Sequence, residues 1–117
     1  MQDQVTLFHN PRCSKSRAAL QIVKKLGIEP IIIEYLKNPP TSEKIKEIVN
    51  KLGVNPRDII RTKEPVYLEK NLNNQNLTNE ELINSIAESP ILLERPIILV
   101  GEKAAIGRPP ELILEIL

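Results

Sequence analysis

The chain has 117 residues, enough for one domain with a modest core, and 41% hydrophobic with 26% charged residues marks a globular rather than a disordered chain. Lys plus Arg number 16 against 15 for Asp plus Glu, which argues against a broad nucleic-acid or membrane surface, and 3% aromatics with no Trp leave little for base stacking. The start "MQDQV" is polar, no apolar run is long enough to span a bilayer, and one cysteine cannot form an internal disulfide, so a cytoplasmic setting is expected.

In chain order, Gln4 to Phe8 reads as a short strand, followed by a loop from His9 to Arg12. Ala19, Ile22, Val23 and Leu26 then recur at i, i+3, i+4 and i+7, one face of a helix from about Ser14 to Leu26 that Gly27 stops. "PIIIEY" is a second strand whose continuous apolar run suits a sheet covered on both faces. Strand, helix, strand makes a βαβ unit with parallel pairing. Next, Thr41 or Ser42 caps a helix with the stripe Ile45, Ile48, Val49 and Leu52, ending at Gly53. Asn55-Pro56 marks another helix start. Thr78 and Glu81 stand at capping-box spacing before Leu82, Ile83, Ile86 and Ala87. The middle, about residues 41–89, therefore reads as an all-helical insert in a single domain spanning 1–117. "RPIILV" and "KAAI" are strands joined by Gly101-Glu102, a pair suited to a II′ hairpin turn. "GRPPE" leads into a last helix carrying Leu112, Ile113, Ile116 and Leu117. The predicted fold class is α/β: a small four-stranded mixed sheet, βαβ then ββα, with helices packed on it.

The stretch "HNPRCSKSR" holds the only cysteine and the only histidine. A helix starting near Ser14 aims its free N–H groups and dipole at Cys13, and Arg12, Lys15 and Arg17 add positive charge; all favour thiolate. The same N–H groups make a seat for an oxyanion. The plain alternative is a small residue buried at a strand–helix junction, but the charged, loop-flanked setting favours a reactive thiol. Spacing sorts the chemistries. Ser16 stands where a C-x-x-C motif would place its second cysteine, and Ala19 stands where a thiol-phosphatase loop would place its arginine. With no second thiol, a redox cycle needs an external one.

"HNPRC", "ERPI" and "GRPPE", in this order over almost the whole chain, resemble the glutaredoxin-coupled arsenate reductase family, in particular a short bacterial branch with Cys-Ser-Lys-Ser-Arg after the loop. The resemblance implies a thioredoxin-like fold, a nucleophilic Cys13, and three arginines that hold the oxyanion: Arg61, Arg95 and Arg108. It further implies that His9 and Ser16 belong to the catalytic site and that Pro96 is a cis-proline facing the thiol. Glutathione is implied as co-substrate and glutaredoxin as partner; no bound cofactor and no metal are expected, composition argues against nucleic acid and membrane, and the chain is expected to be a monomer. Guanidinium groups suit a dianionic oxyanion, since they are permanently charged and forked. The plain reading of each arginine is a solvated surface charge, and Arg57 competes with Arg61 in the same segment. His9 is open between a proton-handling role and a bond to loop backbone. Departures from better-known members are Ser14 and Lys15 after the cysteine and an end soon after "GRPPE". A second reading is a non-catalytic redox or transcription-regulator-like binding protein, since relatives of this fold include regulators of RNA polymerase; Ser16 removes their usual C-x-x-C switch. Between the two lies a glutathione-linked thiol oxidoreductase of another substrate.

Overall fold

Strand β1 (Val5–His9) lies inside a four-stranded sheet of order β2-β1-β3-β4 in the computed structural model, which describes residues 3–117. It runs parallel to β2 (Ile31–Glu34), with Thr6 opposite Ile31 and His9 opposite Glu34. On its other side it is antiparallel to β3 (Ile97–Val100), with Phe8 opposite Ile97, and β3 is antiparallel to β4 (Lys103–Ile106). The sheet is mixed, as expected. Pleating sends Val5 and Leu7 to one face and Phe8 to the other, and all three are buried.

Helix α1 (Ser14–Lys25) covers the first face with Ala19 and Val23. These pack with Val5, Leu7, Ile98 and Ile113 into one apolar cluster. Burying a side chain the size of leucine contributes about 1.5–3 kcal/mol, so this cluster fixes α1 on β1 and with it the β1–α1 junction. Lys24 and Lys25 sit in the last turn, where the dipole favours cations, and Gly27 at φ 77° ends the helix.

The hairpin turn is as expected. Val100 faces Lys103, leaving Gly101 and Glu102 as a two-residue loop, and only Gly101 has positive φ (58°), which fits II′ and excludes I′.

The sequence expectations fail in three places. β1 begins and ends one residue later, so His9 is a strand residue rather than a loop residue. β2 is an edge strand with Ile31 and Ile32 each 43% exposed, so its apolar run does not mark a strand covered on both faces. The last helix is 3-10, Pro110–Ile116, and only Ile113 of the four expected apolar residues is buried. Within residues 41–89 every named element is helical, with Ile60 as one isolated bridge residue.

The described chain divides into two units, Met1–Asn38 with Arg95–Leu117, and Pro39–Glu94. In the second, Thr41 Oγ1 accepts from Lys44 N–H at 3.1 Å to cap α2 (Ser42–Leu52), and Gly53 at φ 69° ends it. A 3-10 turn at Pro56–Ile59 and the short helix α3 (Pro65–Glu69), which periodicity did not reveal, precede α4 (Asn79–Glu88). Thr78 and Glu81 form the reciprocal capping box, with bonds of 3.1 and 3.0 Å. After a further 3-10 turn at Pro90–Leu92, Leu93 pairs antiparallel with Ile60. That bridge is too short to leave a period-2 pattern.

Candidate active site

Between β1 and α1 the chain turns over Asn10-Pro11-Arg12-Cys13. Asn and Pro at the first two positions preset a β-turn, closed by Cys13 N–H donating to Asn10 C=O at 3.0 Å. The Asn10 side chain adds a second bond, its Oδ1 accepting from Arg12 N–H at 3.0 Å. Cys13 is the N-cap of α1, with extended backbone (φ −92°, ψ 122°), a half-buried free thiol, and a C=O that accepts from Arg17 N–H at 3.0 Å.

The thiol pKa lies below its ordinary value. Burial pushes it up, but the N–H groups of Ser16 and Lys15 and the charges of Arg95 and Arg108 together pull it further down. No N–H makes a cap hydrogen bond of full geometry to Sγ. The pull is therefore that of dipoles and cations on an anion, which tolerates loose alignment better than a hydrogen bond does. Arg12, Lys15 and Arg17, expected from sequence to supply the charge, are not its source; the cations acting on Cys13 come from the ends of β3 and β4. The N–H groups of Asn10, Arg12 and Cys13 are all taken inside the loop and by α1.

Behind the thiol, strand alternation puts His9 on the α1 face with Val5 and Leu7. Ser16 continues the buried stripe of Ala19 and Val23 one turn earlier. His9 Nδ1 and Ser16 Oγ are hydrogen-bonded at 2.6 Å, and Oγ also accepts from Asn10 N–H at 3.0 Å. Burial lowers the His9 pKa, Glu34 across the β1–β2 register opposes this, and Arg17 and Lys24 reinforce the lowering; the net shift is downward. His9 thus binds a side chain rather than loop backbone, and it stays neutral near pH 7.

Arg95 and Arg108 lie just outside β3 and β4, whose last pair is Ile97 with Ile106. Gly107 N–H donates to Pro96 C=O at 2.9 Å, and Arg108 Nη1 donates to Arg95 C=O at 3.0 Å. These bonds hold the two strand ends together and fix the Arg108 guanidinium against the Arg95 backbone. The Arg95–Pro96 bond is cis, as expected, and so is Arg108–Pro109, which the sequence did not suggest. A Cβ on Gly107 would stand 2.8 Å from Pro96 Cγ, so glycine is required for this approach.

Arg61 belongs to the second unit. Its N–H donates to Leu92 C=O at 2.7 Å, and its guanidinium pairs with Glu64 at 2.7 Å and reaches Ile91 C=O at 3.4 Å. Arg57, its competitor, donates to the carbonyls of Leu72 and Asn74 and so braces the chain around Leu72.

The family model described as the ArsC family matches residues 8–116. The chain belongs to the ArsC family. A Neisseria meningitidis (strain MC58) protein named arsenate reductase is 48% identical over 109 residues, covering 92% of this chain and 93% of that protein. The Escherichia coli (strain K12) protein YfgD, named as uncharacterized, is 44% identical over 117 residues, covering 99% and 98%. A solved structure of arsenate reductase from Vibrio cholerae superposes with a TM-score of 0.96 at 42% identity, covering 100% of both chains. The fold is thioredoxin-like, as the resemblance implies. Among the described residues of this ArsC-family chain, no group of His, Cys, Asp or Glu could hold a metal, and no helix is long and apolar enough to cross a membrane.

Three participants in this geometry escaped the sequence reading. Asn10 was legible as the first residue of an Asn-Pro turn. Arg17, in sequence only a nearby charge, is a tether whose Nη1 donates to Pro11 C=O at 2.8 Å. Glu64, three residues after Arg61, carries no sequence signal of its own.

Proposed function

We propose that this protein reduces arsenate to arsenite with Cys13 as nucleophile, glutathione as co-substrate and glutaredoxin as the partner that restores the thiol. The observation that carries this is a half-buried thiol at the N-cap of α1, whose pKa is lowered by helix N–H groups and by Arg95 and Arg108. Membership of the ArsC family, with relatives named arsenate reductase, supports the substrate.

In the proposed path Cys13 thiolate attacks arsenic, and an As–O bond breaks with oxygen leaving as water. Glutathione thiolate next attacks Cys13 Sγ. The S–S bond forms while the S–As pair stays on arsenic, taking As(V) to As(III), and arsenite leaves. A glutaredoxin thiolate then attacks the glutathione sulfur and frees Cys13. Arg95 and Arg108 bind the oxyanion and offset its charge as it meets the thiolate. His9 and Ser16 support the nucleophile from behind, and the neutral imidazole leaves the seat free of a competing cation.

A coupled assay tests this: protein, glutathione, glutaredoxin, glutathione reductase and arsenate, followed by NADPH consumption. Consumption should depend on arsenate and vanish with Cys13→Ser, which is close in size and can itself cap a helix. Consumption that does not depend on arsenate, or that survives Cys13→Ser, would contradict the proposal.

A further inference from the structure

The backbone of the turn before α1 is accounted for almost group by group. The N–H groups of Asn10, Arg12 and Cys13 donate to Ser16 Oγ, Asn10 Oδ1 and Asn10 C=O, each at 3.0 Å. Pro11 has no N–H. The carbonyls of Pro11 and Cys13 accept from Arg17, through Nη1 at 2.8 Å and N–H at 3.0 Å. Three of these five bonds pass through Asn10, which acts once with its N–H, once with its C=O and once with its side chain.

The side-chain bond is the one the sequence controls. An Asn at the first position of a turn accepts from the N–H two residues on and so stabilises the same chain path that the backbone bond closes. The N–H bond has a different reach. It ends on Ser16 Oγ, which is fully buried and hydrogen-bonded to His9 at 2.6 Å. The turn is thereby tied to the buried face of α1 as well as to itself, and the thiol is carried on the last residue of that turn.

From this we infer that Asn10 is a positioning residue for the nucleophile: its side chain holds the turn that keeps Cys13 at the N-cap of α1. The inference deepens the proposed reaction and rests on Cys13 being its nucleophile, but the geometry it describes is independent of which oxyanion is reduced. Without the Arg12–Asn10 bond, the turn would sample other paths, and Sγ would spend less time against the N–H groups of Ser16 and Lys15. The thiolate would then be less favoured.

The test is the rate of Cys13 alkylation by iodoacetamide against pH, on Asn10→Ala and Asn10→Ser, with thermal melting followed in parallel. Asn10→Ala should move the midpoint upward and slow alkylation at pH values well below it, by roughly threefold for each half unit of rise. Asn10→Ser keeps a short hydroxyl acceptor of the kind that makes the same turn more weakly, so it should recover part of the loss. A purely structural role would lower the melting temperature of Asn10→Ala and leave the midpoint of the folded protein where it was, which would overturn the inference. Serine doing no better than alanine would overturn it too. Alkylation requires neither arsenate nor glutathione, so a wild-type protein that fails to reduce arsenate would sink the proposed function and leave this result to stand.

Discussion

His9 is the only histidine in the chain, so its titration can be isolated. Burial holds its pKa below the ordinary value of about 6.5, against the opposing pull of Glu34. As pH falls from neutral, the unfolded chain takes up this proton before the folded one does. The sign follows: His9 favours folding fully above the unfolded pKa, and that contribution fades as pH drops toward the folded pKa. His9→Asn keeps a polar group near Ser16 and removes the titration. Between pH 7.5 and 5.5 the wild-type melting temperature should fall more steeply than that of His9→Asn; parallel curves would show that the buried imidazole is not what titrates. The arginines make a different kind of prediction, because they carry charge at every accessible pH. A charge-assisted contact contributes about 1.5–3 kcal/mol, so Arg95→Ala or Arg108→Ala should raise the apparent KM for arsenate by roughly tenfold to a hundredfold. Lysine at either place should recover only part, because the fork is lost. Arg57→Ala should spare KM and cost stability instead, because its guanidinium is spent on the carbonyls of Leu72 and Asn74.

Among the elements, the closing hairpin does most to assemble the site, and one glycine sets its width. Gly107 lies against Pro96 and Ile113, with 2.8 and 3.3 Å left for a Cβ. Gly107→Ala must push the proline ring aside, and overpacking of this kind costs about 1–3 kcal/mol. Chemical denaturation should show a loss in that range, and stabilisation of the fold by sulfate should weaken because Arg95 and Arg108 move apart. A fully stable variant with undiminished sulfate response would mean that the two strand ends are not held by this contact. This hairpin was also the most legible element, because Gly101-Glu102 between two short apolar runs admits few other structures. Helices α1, α2 and α4 were legible for a similar reason, since stripe, cap and stop signal agree in each. What periodicity missed was short or placed by neighbours: α3 has 5 residues and buries none of them, and the Ile60–Leu93 bridge has one residue on each side. β2 misled because an isoleucine run reads the same whether or not a strand lies beyond it. At the site, Cys13 stood out through its cationic setting, yet the cations that lower its pKa come from the far end of the chain. Local sequence cannot report a charge delivered by a distant hairpin.

At the scale of the whole molecule the decisive fact is a count. One cysteine in 117 residues means that no internal disulfide can store the oxidising equivalents of a turnover. Ser16, where a resolving thiol would stand, is fully buried and bonded to His9 and Asn10, so that position is committed to holding the loop. The proposed cycle would therefore pass through a mixed disulfide with a second molecule. The most direct measurement is intact-mass spectrometry of the reduced protein after incubation with arsenate and glutathione, glutaredoxin being withheld. The account predicts a single glutathione adduct on Cys13 that forms only with arsenate present, is absent in Cys13→Ser and disappears when glutaredoxin is added. No adduct under these conditions, or one that forms equally well without arsenate, would contradict it.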